Sequence, residues 1–307
     1  MQPKLVAIVG PTAIGKSRLA LRLAQDFNGE IVGADSRQVY RYMDIGTAKP
    51  SRQELSLIPH HLINIVNPDE DFSLAQYQQL AYRAIEDIQQ RHKLALLVGG
   101  SGLYIRAVLE GWVIPPVPPD PEFRRSLEEK VAAGGREELY QELVKVDPVA
   151  AQSIDRRNVR RVIRALEVSR YAGTPFSQLQ QKQAPPFNAL IIGLTTDRAE
   201  LYRRIDLRVD KMIEQSLVEE VKKLVSQGYS LNLPSMSGIG YKQIGLFLQG
   251  ELTLAEAIEQ IKFATHRFVR GQYNWLRLND KRIKWFDVQN SKVETEIEEL
   301  VAGFISQ

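Results

Sequence analysis

A chain of 307 residues is long enough to bury a sizeable core and suits one large domain or two. With 44% apolar and 25% charged residues its composition is that of an ordinary globular protein, and a net charge of +3 announces no polyanionic partner by itself. The chain has no cysteine, which excludes disulfides and cysteine-held zinc or iron–sulfur centres and suits a reducing compartment.

The first element, "LVAIV" (5–9), is a fully apolar, β-branched run, the pattern of a buried parallel strand. It is too short for the apolar region of a signal peptide or for a membrane span, so a cytoplasmic location is expected. The residues that follow, Gly10, Pro11, Thr12, Ala13, Ile14, Gly15, Lys16 and Ser17, fit G-x-x-x-x-G-K-[ST]. Such a loop turns its backbone N–H groups inward around a chain of phosphates. Here it follows a strand and opens a helix, about Lys16 to Phe27, with Leu19, Ala20, Leu23, Ala24 and Phe27 on one face. The helix N-terminus adds partial positive charge, Lys16 adds a full one, and the Ser17 hydroxyl is placed to hold Mg²⁺.

"EIVGADS" (30–36) is a second strand that ends in polar residues and puts Asp35 at its carboxyl end, where open α/β sheets bind ligands. The pattern places it beside the phosphate loop's strand. The long polar and aromatic loop after it, "ADSRQVYRYMDIGTAKP", is more typical of a binding loop than of a connection. Ser73 with Gln76 forms a capping box ahead of a helix to about Arg91. "LALLV" (94–98) is the third strand, "ALIIGL" (189–194) the fourth and "IKWFDV" (283–288) a candidate fifth. The expected architecture is an α/β, P-loop-type, mostly parallel sheet covered by helices on both faces. The third strand runs into "GGSGLY" with no acid, where an NTP-hydrolysing machine usually presents one for Mg²⁺.

Proline clusters at 115–121 ("PPVPPDP") and 184–187 ("APPF") bracket a helical stretch without a convincing strand. Semi-rigid proline stalks point to an all-helical insertion domain, 115–187, within a core domain formed by 1–114 and 188–307. The alternative is that the prolines mark loops of one compact domain. Within the insertion, "DRRNVRRVIRALEVSR" (155–170) carries six arginines against two acids. Arg157, Arg160, Arg161 and Arg164 recur at helical spacing, so one face suits a run of phosphates, with Asn158 beside it. In the last long helix Thr253 and Glu256 make a capping box, and Lys262, His266 and Arg270 recur every four residues. Its aromatics, Phe263, Phe268, Tyr273 and Trp275, read as core rather than as base-stacking groups. His266 reads as structural or phosphate-contacting.

Six segments together resemble the tRNA dimethylallyltransferase family: "GPTAIGKS" (10–17), "DSRQVYRYMDIGTAKP" (35–50), "VGGSGLY" (98–104), "RNVRRVIRALE" (157–167), "GIGYKQ" (238–243) and "HRFVRGQYNWLR" (266–277). The resemblance spans residues 10 to 277, and its second and fourth segments are highly specific. It implies transfer of a dimethylallyl group from dimethylallyl diphosphate to N6 of adenosine 37 beside the tRNA anticodon, with Mg²⁺ as cofactor and a monomer as the working form. It also implies that residues 10–17 hold the prenyl diphosphate and not ATP.

The implied catalytic set is Asp35 as general base, Ser101 at the junction of phosphate and base, and Lys16. Arg208 in "RRIDLRVDK" joins the diphosphate site, with Arg204 as substitute. The implied tRNA contacts are Asp35, Ser36, Arg37, Gln38 and Ser101 in the core, with Lys242 and Gln243 in the "GIGYKQ" loop. Arg124, Asn158, Arg160, Arg161 and Arg164 join them from the insertion, which grips the anticodon stem-loop. The chain departs from the family's pattern at Ile14, Ser17, Ser101 and Gly271; Ser17 and Ser101 keep a hydroxyl where Thr is common. Gly271 costs the helix up to roughly 1 kcal/mol. The eukaryotic zinc finger is missing. Three other readings use parts of the same pattern: an adenylate isopentenyltransferase, an ATP-dependent small-molecule kinase, and a non-catalytic RNA-binding P-loop protein.

Overall fold

The computed structural model describes residues 2–179 and 181–307. They divide into two compact units: one holds the chain up to Leu109 together with Pro185–Gln307, the other Glu110–Ala184. The larger unit opens with β1 (Lys4–Val9), whose Leu5 to Val9 are all fully buried, and with α1 (Lys16–Asp26). Then come β2 (Gly29–Ala34), the short α2 (Arg52–Leu57) and a two-residue edge strand, β3 (His60–His61). Helix α3 (Leu74–Gln90) starts at the expected capping box, with Ser73 Oγ accepting from Gln76 N–H and Gln76 Oε1 from Ser73 N–H. Strand β4 (Leu94–Gly99) and helix α4 (Gly102–Leu109) complete the first half.

The smaller unit contains β5 (Trp112–Val113), α5 (Pro121–Ala132), α6 (Arg136–Val146), α7 (Pro148–Ser153), α8 (Val159–Ala172), α9 (Phe176–Leu179) and β6 (Gln181–Lys182). Leu127, Leu139, Leu143, Ile154, Val162 and Ile163 form its own apolar core. The unit is not all-helical. The segments that leave and re-enter the larger unit run antiparallel, so β5 and β6 pair, and Gln183 N–H extends the ladder to Gly111 O at 2.8 Å. The larger unit resumes with β7 (Asn188–Thr195), α10 (Arg198–Glu214), α11 (Leu217–Ser226), α12 (Tyr241–Leu248), α13 (Leu254–Trp275), β8 (Ile283–Asp287) and α14 (Val293–Ser306).

Six parallel strands stand in the order β3-β2-β4-β1-β7-β8. The strand carrying Asp35 is therefore not the neighbour of the phosphate loop's strand: β4 lies between them. Side chains alternate across the sheet. Val6, Ile8, Leu96 and Ile192 pack under α1 and α10–α14, while Leu5, Ala7, Val9 and Leu97 pack under α3 and α4. Each fully buried Leu or Ile is worth about 2 kcal/mol, so this double-sided core holds the strand ends rigid. No helix among the described residues is long and apolar enough to cross a membrane.

The amino end of the sheet is tied by Glu30, 2% exposed, whose carboxylate accepts from Arg91 Nη2, Lys93 Nζ and His61 Nε2, each at 2.8 Å. The Arg91 guanidinium above all holds the Glu30 carboxyl far below the usual carboxylate range, against the cost of burial. Because the folded state depresses this pKa, the stabilisation is present above about pH 4.5 and fades as pH falls below it. Glu30→Gln is expected to lower stability by about 3 kcal/mol at neutral pH. Urea titrations of both proteins across the acid range should show the gap closing.

Candidate functional site

The phosphate loop is wound by backbone conformations that turn its N–H groups inward. Gly10, Ala13 and Gly15 have φ of 146°, 65° and 106°, and Ala13 holds its left-handed value without being glycine. Ile14 is buried in the core under α1, which pins the loop from behind and keeps its side chain off the phosphate face. Gly15 and Ser17 lie exposed at the start of α1, where no side chain caps the first N–H groups. An anion completes such a helix end.

Two cations flank this loop. Lys16 Nζ donates to Pro11 O at 2.7 Å, and Arg208 Nη1 on α10 donates to Thr12 Oγ1 at 3.0 Å. Burial, then the charge of Arg208, bring the Lys16 ammonium down to about 7 against the opposing charge of Asp35. Burial lowers Arg208 as well, again opposed by Asp35. The pair is thus a preorganised positive site short of its counter-charge. Arg204 is committed elsewhere, to Glu200 at 2.7 Å, which leaves Arg208 as the arginine of the loop.

The other wall is the end of β2 and β4. Asp35 Oδ1 accepts from Arg37 N–H at 2.8 Å, an Asx turn that fixes the carboxylate. Ser101 bridges the two strand ends: its N–H donates to Ala34 O at 3.2 Å, and its Oγ accepts from Ser36 N–H at 3.0 Å. The polar loop after β2 is held from several sides. Arg37 reaches Pro234 O (2.9 Å) and Ser235 O (3.3 Å), and Gln38 Nε2 donates to Thr47 O and Ala48 O, each at 3.1 Å. Arg37 and Gln38 thus support the loop as well as lying at the site. Glu220 on α11 accepts the N–H groups of Asp44, Ile45 and Gly46 and the Tyr241 hydroxyl, and Lys49 Nζ donates to Asp44 Oδ1 and Asn64 Oδ1. Neither Glu220 nor Lys49 was singled out from the sequence: Glu220's partners in the loop lie about 175 residues away, and Lys49's are near but share no local pattern with it.

Gln272 on α13 was also missed. It is 5% exposed, accepts from Thr12 N–H at 2.9 Å and donates to Gly100 O at 2.9 Å. His266, four residues apart from Lys262 as expected, stacks on Tyr202 and sits 2.8 Å from Asp206 Oδ1, while Lys262 pairs with Asp210. Of the aromatics of this helix only Tyr273 packs against the core. Phe263, Phe268 and Trp275 are exposed and only Tyr273 is half-buried, because the inward face is taken by Ala257, Ile261, Val269 and Gln272.

Several expected RNA contacts have local employment. Gln243 is buried and its Oε1 accepts from Gly240 N–H, capping α12, whereas Lys242 beside it is exposed. In the smaller unit Arg157 precedes α8 and pairs with Asp155, so it is not on the helix face. Asn158 caps that helix by accepting from Arg161 N–H. Glu167, fully buried, takes both Arg124, bidentate at 2.8 and 2.7 Å, and Arg164 at 2.6 Å. Arg160 and Arg161 remain exposed and make no ion pair among the described residues.

A parallel sheet with a G-x-x-x-x-G-K-S loop between β1 and α1 defines a P-loop-type α/β protein. Residues 38–279 match the model of the family described as IPP transferase. The tRNA dimethylallyltransferase of Dehalococcoides mccartyi is 51% identical over 302 residues, 98% of this chain and 93% of that protein. The one from Thermomicrobium roseum is 52% identical over 284 residues, 92% and 86% of the two chains. The solved full-length tRNA isopentenylpyrophosphate transferase of Bacillus halodurans shares 43% identity with a TM-score of 0.73, covering 98% of this chain and 96% of that one. A eukaryotic dimethylallyltransferase acting on tRNA gives 0.85 at 29% identity, covering 99% and 80%. This chain belongs to the IPP transferase family.

Lys16 makes anion binding pH-dependent. A bound diphosphate favours the charged ammonium, while the free site lets the proton go near pH 7. Affinity for inorganic diphosphate is expected to fall as pH rises above about 7, by up to about tenfold per unit. Calorimetry in buffers of different ionisation heat should register proton uptake on binding, and this extra pH dependence should vanish in Lys16→Met.

Proposed function

We propose that this chain transfers a dimethylallyl group from dimethylallyl diphosphate to N6 of adenosine 37 in tRNA. The observation that carries this reading is the pairing, across the end of β4, of a phosphate loop with a carboxylate and hydroxyl turn at Asp35 and Ser101. The reaction needs both halves. A bond forms between N6 and C1 of the dimethylallyl group as the bond from C1 to the diphosphate oxygen breaks. The proton of N6 passes to the Asp35 carboxylate. The adenine amino group is a weak nucleophile because its lone pair is delocalised into the ring, so removal of that proton as the bond forms lowers the barrier. Lys16, Arg208 and the inward N–H groups of residues 13–17 meet the charge that develops on the leaving diphosphate.

The residues present suit Mg²⁺. Ser17 offers an exposed oxygen beside Lys16, and this ion takes one or two protein oxygens together with phosphate oxygens and water. Among the described residues no three His, Asp or Glu side chains gather to hold a metal by themselves, so the diphosphate would complete the set. When bound, the ion neutralises phosphate charge.

Adenosine 37 must leave its stack to reach Asp35, which calls for a grip on the anticodon stem-loop. Arg160 and Arg161, exposed and without an ion pair among the described residues, are cations of α8 suited to this task, while Arg124 and Arg164 hold its fold through Glu167.

The deciding assay incubates the chain with dimethylallyl diphosphate, Mg²⁺ and unmodified tRNA and looks for N6-isopentenyladenosine by mass spectrometry. Prenylation of AMP but not tRNA, or ATP consumption without prenyl transfer, would replace the reading. Asp35→Ala should lower turnover by about 10²- to 10⁴-fold while tRNA binding changes by less than about threefold; retained turnover removes Asp35 as base. Arg160→Glu with Arg161→Glu should weaken tRNA binding and flatten the plot of log affinity against log salt by about one to two in slope, read by filter binding.

A further inference from the structure

Helix α13 touches both halves of the site. Trp275 packs on Gly102, directly after Ser101: a Cβ built on Gly102 would lie 2.2 Å from the Trp275 Cβ. One turn earlier, Gln272 Nε2 donates to Gly100 O at 2.9 Å. The carboxyl-terminal part of α13 is thereby fixed to the turn that carries Ser101. From there Gln272 Oε1 reaches across to Thr12 N–H in the phosphate loop, also at 2.9 Å.

We propose that Gln272 is the positioning residue that sets the gap between the diphosphate loop and the Asp35–Ser101 turn. The inference rests on the prenyl-transfer reading above. Its basis is a continuous chain of bonds: Thr12 N–H to Gln272, Gln272 to Gly100, Gly100 to Ser101 through the backbone, and Ser101 Oγ from Ser36 N–H beside Asp35. Few residue types fit the link. It must accept at one end and donate at the other, and the amide of Gln does both where a carboxylate or an apolar side chain does not. Room for it is reserved, because a Cβ on Gly100 would come 2.4 Å from Gln272 Nε2. The link also takes Thr12 N–H out of the phosphate cradle, while Arg208 holds the hydroxyl of the same residue. Thr12 is therefore clamped from two helices and transmits the position of α13 to the loop.

A device that sets distance acts on kcat. Both substrates still bind when it is cut, but the reacting atoms are misaligned, and a displacement of about 1 Å costs about a hundredfold in rate. In Gln272→Leu, kcat per folded molecule should fall about a hundredfold while KM for dimethylallyl diphosphate and for tRNA stays within about threefold. Gly100→Ala attacks the same contact from the other side and should give the same split, which keeps the test open if Gln272→Leu does not fold. A kcat per folded molecule within about threefold of the parent, or a loss that appears in KM alone, overturns the assignment. If the parent chain itself does not prenylate tRNA, the functional reading fails; if it does and these variants match it, only the role of Gln272 fails.

Discussion

The close approach of β4 to its two neighbours is the constraint on which the site depends. At the end of β4 a Cβ on Gly99 would lie 2.0 Å from Ala34 O, and one on Gly100 would lie 3.3 Å from Gly10 O. The missing side chain at Gly99 lets β2 and β4 end side by side, and at Gly100 a Cβ would press mainly on Gln272 and only lightly on Gly10 O. Ser101 then emerges between the phosphate loop on one side and Asp35 on the other. The phosphate loop and Asp35 meet across a strand that ends in glycines, and the residue between them, Ser101, comes from a segment far along the chain.

The charges follow a consistent division. Around the phosphate loop Lys16 and Arg208 are half-buried, and no carboxylate among the described residues is bonded to them; Asp35 acts on both through space only. Their own hydrogen bonds go to Pro11 O and the Thr12 hydroxyl, which hold geometry without cancelling charge. Such a site is costly until an anion enters, and that unmet charge makes it selective for a multiply charged ligand. In the smaller unit the arrangement is reversed. Arg124 and Arg164 share one fully buried carboxylate, Glu167, so their charge is spent on fixing α5 against α8.

How much of this was legible follows from the range of each interaction. The phosphate loop, the strand–loop–helix around it and the capping boxes at Ser73 and Thr253 are local patterns, and they stand where the sequence puts them. Arg208, named from the sequence for the diphosphate site, donates to the Thr12 hydroxyl of the phosphate loop. Strand order was not legible. "LVAIV" and "LALLV" are equally apolar, and a strand buried on both faces carries no mark of its neighbour, so the pattern alone sets Asp35 one strand too near. Asn158 and Gln243, named from the sequence for RNA, also cap helices, a role open to the same residue types. Gln272 lies 260 residues from Thr12, and no periodicity links them.

Helix α13 shows why its pattern of apolar and basic residues reads ambiguously. Val269 and Gln272 face inward, the first into the core and the second into the site. Lys262 and His266 face α10, where Asp210 and Asp206 meet them and brace the helix that carries Arg208. Phe263 and Phe268 face outward, exposed. Three surfaces at period 3.6 leave no single apolar stripe, so hydrophobicity alone assigns the aromatics to the core. The burial of Gln272 reverses that assignment: the helix gives its innermost position near the site to a polar group and leaves its phenyl rings in solvent. Apolar burial therefore does not by itself explain the orientation of α13. The hydrogen bonds at Gln272 and the acid–base pairs along α10 tie it to both cations of the diphosphate site, one through Thr12 and the loop that ends in Lys16, the other through the helix of Arg208.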